Sequence, residues 1–181
     1  MSDIVRETGE TRVRVALEIG AGATTVDTSV AFLDHMVRTF ARYANLHGTI
    51  EARGDLRHHI IEDVAIVCGM AIAELSPANR QRYGDRTIPM DDALVHVSID
   101  NGGRAFYEGP LPSGLYDHWM RSFAEHSRST IHIRVLRGTD RHHIVEAAFK
   151  ALGYVVRDSL TLDGEEVNST KGAPFVRGGQ C

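Results

Sequence analysis

The chain has 181 residues, 43% of them apolar and 24% charged, with a formal net charge of −4. That length fits one domain, or two tightly fused halves, with enough apolar residues to build a core. The mild acidic balance and the scattered Lys and Arg exclude a nucleic-acid or membrane-surface binder that works by bulk charge.

Two cysteines, Cys68 and Cys181, make no disulfide framework. The opening MSDIVRETGETRVRV holds no apolar core of signal-peptide length, and no stretch is long and apolar enough to span a membrane. A reduced, cytoplasmic protein is expected.

In chain order, TRVRVALEI (11–19) alternates polar and apolar residues and predicts a strand. Gly20 to Gly22 turn the chain, and ATTVDTSV is expected to return as its hairpin partner. A helix follows over 33–45, with Leu33, Met36, Val37, Phe40 and Ala41 as its apolar stripe and His35 on the flank. A strand at 49–53 leads to a second helix over 58–75, which Ser76-Pro77 ends. Residues 79–90 read as a linker, after which the order recurs. ALVHVSID (93–100) is a strand and RAFYEG its return strand; helices are expected over 116–126 and 142–160, with the strand TIHIRVL (130–136) between them. The last segment, 163–181, is poor in apolar residues and is expected to be flexible.

The expected fold is therefore α+β, with two pseudo-symmetric β-β-α-β-α half-repeats, 8–78 and 91–162, in a single domain over 1–181. Each half lays its helices on one face of an antiparallel or mixed sheet.

The repeat is sharpest in His-His-x-x-Glu, found as His58-His59-Ile60-Ile61-Glu62 and as His142-His143-Ile144-Val145-Glu146. With ten His in the chain, random placement would give this pentapeptide roughly 0.03 times. Each copy is preceded by an Asp-His pair, Asp34-His35 and Asp117-His118. Any one of these His, taken alone, reads as a capping or satisfied polar group; six in matched places read as ligands. On a helix the first His and the Glu, four apart, share a face, whereas adjacent His side chains diverge by about 100° and suit two different ions. Six imidazoles and two carboxylates divide into two sites of three His and one Glu. With no thiolate they favour Mn, Fe or Zn, and positions left open on the ion point to catalysis. Ligands that do not meet within one chain could meet between copies, so oligomerisation could assemble the sites.

The run Gly138-Thr139-Asp140-Arg141-His142-His143-Ile144-Val145-Glu146-Ala147-Ala148-Phe149-Lys150 resembles the C-terminal signature of the imidazoleglycerol-phosphate dehydratase family. FLDHM (32–36), RYG (82–84), PMDDAL (89–94), GGR (102–104) and STKG (169–172) fall in that family's order, and the resemblance covers residues 8–172. It implies a hydro-lyase of histidine biosynthesis, converting imidazole glycerol phosphate to imidazole acetol phosphate. It also implies two Mn2+ ions that bind the imidazole as imidazolate, held by His35, His58, His59, Glu62, His118, His142, His143 and Glu146. Glu10 matches the family's acid/base group; by itself it would read as a solvated charge at a strand edge. Arg82, Arg104, Lys150, Ser169 and Lys171 match its phosphate contacts, in keeping with the suitability of Arg and Lys for phosphate. The resemblance further implies a homo-oligomer, a 24-subunit shell with metal sites at subunit interfaces. The chain departs from the pattern at Thr39, Tyr43 and Ile60 and in a shortened loop before His58, positions that bear on substrate preference. Two other readings share the metal ligands: a metal-dependent lyase or hydrolase acting on a different small phosphorylated substrate, and a metal-linked structural assembly.

Overall fold

A computed structural model describes residues 1–163. The first half consists of β1 (Ser2–Glu7), β2 (Thr11–Ile19), β3 (Thr24–Asp27), α1 (Ala31–Tyr43), β4 (Leu46–Gly54) and α2 (Arg57–Leu75). The second repeats it as β5 (Tyr83–Met90), β6 (Ala93–Asp100), β7 (Phe106–Glu108), α3 (Gly114–His126), β8 (Thr130–Arg137) and α4 (Arg141–Ser159). The β-β-α-β-α order of each half is present, preceded in both by one further strand.

Each half forms a four-stranded mixed sheet, in the orders β1-β2-β4-β3 and β5-β6-β8-β7. Here three expectations need correction. The segment after Gly22 is not a hairpin partner of β2: β3 runs parallel to β4, because β1 and β4 already occupy both edges of β2. For the same reason β7 runs parallel to β8 and does not return along β6. Much of the supposed linker 79–90 is strand β5, an edge strand with one face exposed and the other only half-buried. Its Arg, Asp and Pro residues are ones an edge tolerates and a central strand does not.

The helices of the two halves cross-pair, α2 along α3 and α1 along α4. α2 is apolar almost all round and buries Ile60, Ile61, Val64, Ala65, Val67, Cys68, Ala71 and Ile72, as a helix covered on several sides should. One side rests on β1, β2 and β4 and another on α3. Two glycines 84 residues apart permit the close crossings. A methyl at Gly69 would lie 2.7 Å from the Phe123 carbonyl oxygen, and one at Gly153 would lie 2.7 Å from that of Phe40. Between the pairs Trp119 stacks on Phe123 (5.2 Å between ring centroids) and tilts against Phe149 (4.6 Å), and Phe40 of α1 meets Phe123 edge-on at 5.4 Å, so one aromatic core joins both halves.

Cys68 lies within this core, and burial pushes its thiol up to about 12. A thiol pKa that high leaves almost no thiolate at neutral pH, and the thiolate is the nucleophile. In a C181S chain we therefore expect iodoacetamide to alkylate Cys68 in denaturant and to leave it untouched in the native state. Equal rates in the two states would mean that α2 is not packed as described.

Candidate metal centre

The cross-pairing of helices decides which ligands meet. His58 and Glu62, one turn apart at the start of α2, face His118 from α3; His142 and Glu146, at the start of α4, face His35 from α1. Each Asp-His helix thus serves the motif of the opposite half. In each group the ligand atoms lie within 4.8 Å of one another. His58 Nε2 is 3.6 Å and His118 Nε2 3.2 Å from the Glu62 carboxylate. His142 Nε2 and His35 Nε2 are 3.1 and 3.3 Å from Glu146 Oε2.

Among the described residues each group has two imidazoles and one carboxylate and no thiolate, a set that fits a divalent ion of the Mn, Fe or Zn kind. His118 Nε2 is buried and, although 3.2 Å from Glu62 Oε1, is not aligned to hydrogen-bond with it or with any other described residue. Such an atom is costly unless it has a ligand to bind. The residues therefore fit two ions, as a di-manganese site requires.

The second His of each pair lies outside both groups. The His58 and His59 rings are 6.1 Å apart, and those of His142 and His143 6.0 Å apart, as expected of consecutive residues whose side chains leave the helix about 100° apart. His59 Nδ1 meets Asp55 Oδ1 at 2.9 Å and Glu10 Oε2 at 3.6 Å. His143 Nδ1 meets Asp92 Oδ1 at 2.8 Å, and its Nε2 meets Asp91 Oδ2 at 3.3 Å. The hydrogen bond to Asp55 raises the pKa of His59, and that to Asp92 raises the pKa of His143. In turn, the backbone N–H of Thr139, His143 and the N–H of Asp140 hold the Asp92 carboxyl well below the usual range.

The groups also differ in one respect. Lys150 Nζ lies 2.9 Å from Glu146 Oε1 and 3.0 Å from Met90 Sδ. Burial pushes the Glu146 carboxyl up, but Lys150 and the bonds from His35 and His142 outweigh it and hold the pKa low. At the place of Lys150 in the first half stands Ile66.

Glu10 sits in the tight β1–β2 turn, where its N–H donates to Thr8 Oγ1; this places it beside His59. Arg82 is elsewhere. It makes a two-point ion pair with Asp100, at the far end of the β5–β6 hairpin from His143, roughly 26 Å away at about 3.3 Å per strand residue. Arg104 is exposed in the link before β7, near that same end. Within one chain neither Arg joins the metal groups. Ser169, Lys171 and the segment expected to be flexible (all but Asp163) lie outside the described residues. Thr39 and Ile60 turn into the core, and Tyr43 rests against Tyr154. Beside His142 opens a crevice of about 350 Å³ lined by Phe32, Leu115, Tyr116 and Val145, and by the repeat counterparts Arg57 and Arg141.

Asp55, Asp91 and Asp92 received no role from the sequence. The signal available was the repeat itself: Glu10 and Asp92 both stand one residue before corresponding strands, β2 and β6.

The sequence model of the family described as imidazoleglycerol-phosphate dehydratase matches residues 28–156. The dehydratase of Methanococcoides burtonii is 40% identical, over 93% of this chain and 96% of its own. That of Chlorobium phaeovibrioides is 38% identical, over 92% of both. Among solved structures, the enzyme of Pyrococcus furiosus in complex with (S)-C348 superposes with a TM-score of 0.83 at 39% identity, covering 94% of this chain and all of that one. That of Staphylococcus aureus gives 0.76 at 26% identity, covering 90% and all. Signature, fold and paired His/Glu groups agree with these matches, and the chain belongs to the imidazoleglycerol-phosphate dehydratase family.

Proposed function

We propose that the chain is a hydro-lyase that removes water from imidazole glycerol phosphate to give imidazole acetol phosphate, a step of histidine biosynthesis. The observation that carries this is the pair of His/Glu groups, His58-Glu62-His118 and His35-His142-Glu146, each built across the two halves. When bound, two Mn2+ ions would supply Lewis acidity to the azole ring, easing loss of the ring proton and so departure of the hydroxyl on the attached carbon. The chain's own residues supply the rest. Glu10, exposed at a turn and near His59, would take up or give back a proton. Arg82, Arg104 and Lys150, with Ser169 and Lys171 outside the described residues, would hold the phosphate.

We further propose a cytoplasmic homo-oligomer, a 24-subunit shell with the metal sites at subunit interfaces, each chain being one domain. No described helix is long and apolar enough to cross a membrane. Each group offers three ligands, while His59 and His143 point away from their own chain's groups, so a neighbouring copy can supply the fourth. The distance from Arg82 to His143 within one chain calls for the same arrangement.

Stripping the protein with EDTA tests both statements. Turnover of imidazole glycerol phosphate should vanish and the particle should shrink, and added Mn2+ should restore both, since ligands shared between copies couple metal to assembly. A restored, Mn-loaded protein that does not turn over this substrate would overturn the activity. A particle of unchanged size after stripping would overturn the shared sites.

A further inference from the structure

Among the eight proposed metal ligands, His143 is held in a way that a single substitution can invert. We infer that Asp92 is a positioning residue that fixes which ring nitrogen of His143 is offered to a metal ion; this rests on the reading of His143 as a ligand given above. An ionised carboxylate can only accept hydrogen bonds, so the 2.8 Å contact of Asp92 Oδ1 with Nδ1 requires the proton on Nδ1. The lone pair of the neutral ring then lies on Nε2. Carboxylates that hold the outer N–H of a ligating His in this manner set both its tautomer and its orientation. Nε2 faces the exposed Asp91, which sits on a left-handed backbone in the two-residue turn between β5 and β6.

Asp92 also anchors the chain where α4 begins. Its other oxygen, Oδ2, accepts from Thr139 N–H at 2.7 Å, from Asp140 N–H at 3.2 Å and from Thr139 Oγ1 at 3.3 Å. An amide NH2 cannot stand opposite two N–H donors. In an Asp92→Asn chain the amide oxygen therefore takes the Oδ2 place and keeps the turn, while the NH2 is turned on His143 Nδ1. The NH2 donates, Nδ1 must accept, and the proton moves to Nε2, the nitrogen the ion needs.

The other half reaches the same outcome with different wiring. Asp55 Oδ1 alone accepts both His59 Nδ1–H at 2.9 Å and Leu56 N–H at 2.7 Å. One amide oxygen can replace it without conflict, so Asp55→Asn removes a charge beside His59 and leaves the tautomer as it was. The two substitutions are alike in charge and opposite in their effect on the ring.

The experiment compares full-length wild type, D92N, D55N and H143A. In metal-stripped wild type, at a pH above the titration of His143, 15N NMR should show the Nδ1–H tautomer; the Nε2–H form would overturn the inference even if no variant folds. D92N should show Nε2–H and bind one of its two Mn2+ ions about ten- to a hundredfold more weakly, the usual effect of losing such an outer partner. D55N should bind both ions much as wild type does. Equal Mn2+ affinities in D92N and D55N, with H143A losing one ion, would overturn the inference and leave the ligand reading standing. H143A holding both ions as wild type does would overturn the ligand reading, and the inference with it.

Discussion

Replacing His142 with alanine is expected to lower turnover by on the order of a thousandfold, because an ion worth several kcal/mol to the transition state loses a ligand. Elemental analysis should find one tightly held Mn2+ per chain in place of two, the survivor at His58-Glu62-His118. The change lies at the surface end of α4, against Phe32 and His35 of α1, and Glu146 keeps His35 and Lys150 as partners, so the fold should persist. Glu146→Ala differs in kind. Lys150 would lose the carboxylate that accompanies it in a mostly buried position, and breaking such a pair costs about 3–5 kcal/mol. Two ions and full turnover in H142A would remove this group from the active site.

The second large effect is on stability. Trp119→Ala should lower the unfolding free energy by about 3–5 kcal/mol, the range for deleting a large buried aromatic side chain, read as a fall in the denaturant midpoint at unchanged slope. Trp119 is fully buried and touches Phe40 of α1, Phe123 of α3 and Phe149 of α4. The cavity would therefore open between the halves, where neither sheet alone can close it. Trp119→Phe should cost a fraction of this, since most of the ring contact remains and a buried Nε1 with no hydrogen-bond partner among the described residues is removed. A midpoint unchanged in W119A would show that the aromatic cluster does not tie the halves together.

What could be read in the sequence depended on how local its cause was. The four helices and strands β2 and β6 were legible because apolar periodicity is written within a few residues, as in Leu33, Met36, Val37 and Phe40. The His pairs were legible because they occur twice, and their divergence follows from one helical turn. The parallel pairing of β3 and β7 was not, since it depends on which edge of a neighbouring strand is free. β1 and β5 were missed because edge strands can carry polar residues on both faces. His35 belongs with the second motif although it precedes the first, a fact set by helix packing over 111 residues. Asp92 stood in a motif yet showed no role, because His143 lies 51 residues away.

The crossing of α1 with α4 and α2 with α3 has a consequence for how such a chain could have come to exist. Severed between Leu75 and Tyr83, either fragment would hold two ligands of one grip and one of the other, and would complete neither. A polypeptide of half this length, bearing an Asp-His helix and a His-His-x-x-Glu helix, could finish its grips only by embracing a copy of itself. Tandem fusion of two such embracing copies would have made the arrangement permanent and left each half free to diverge, as Lys150 and Ile66 now do.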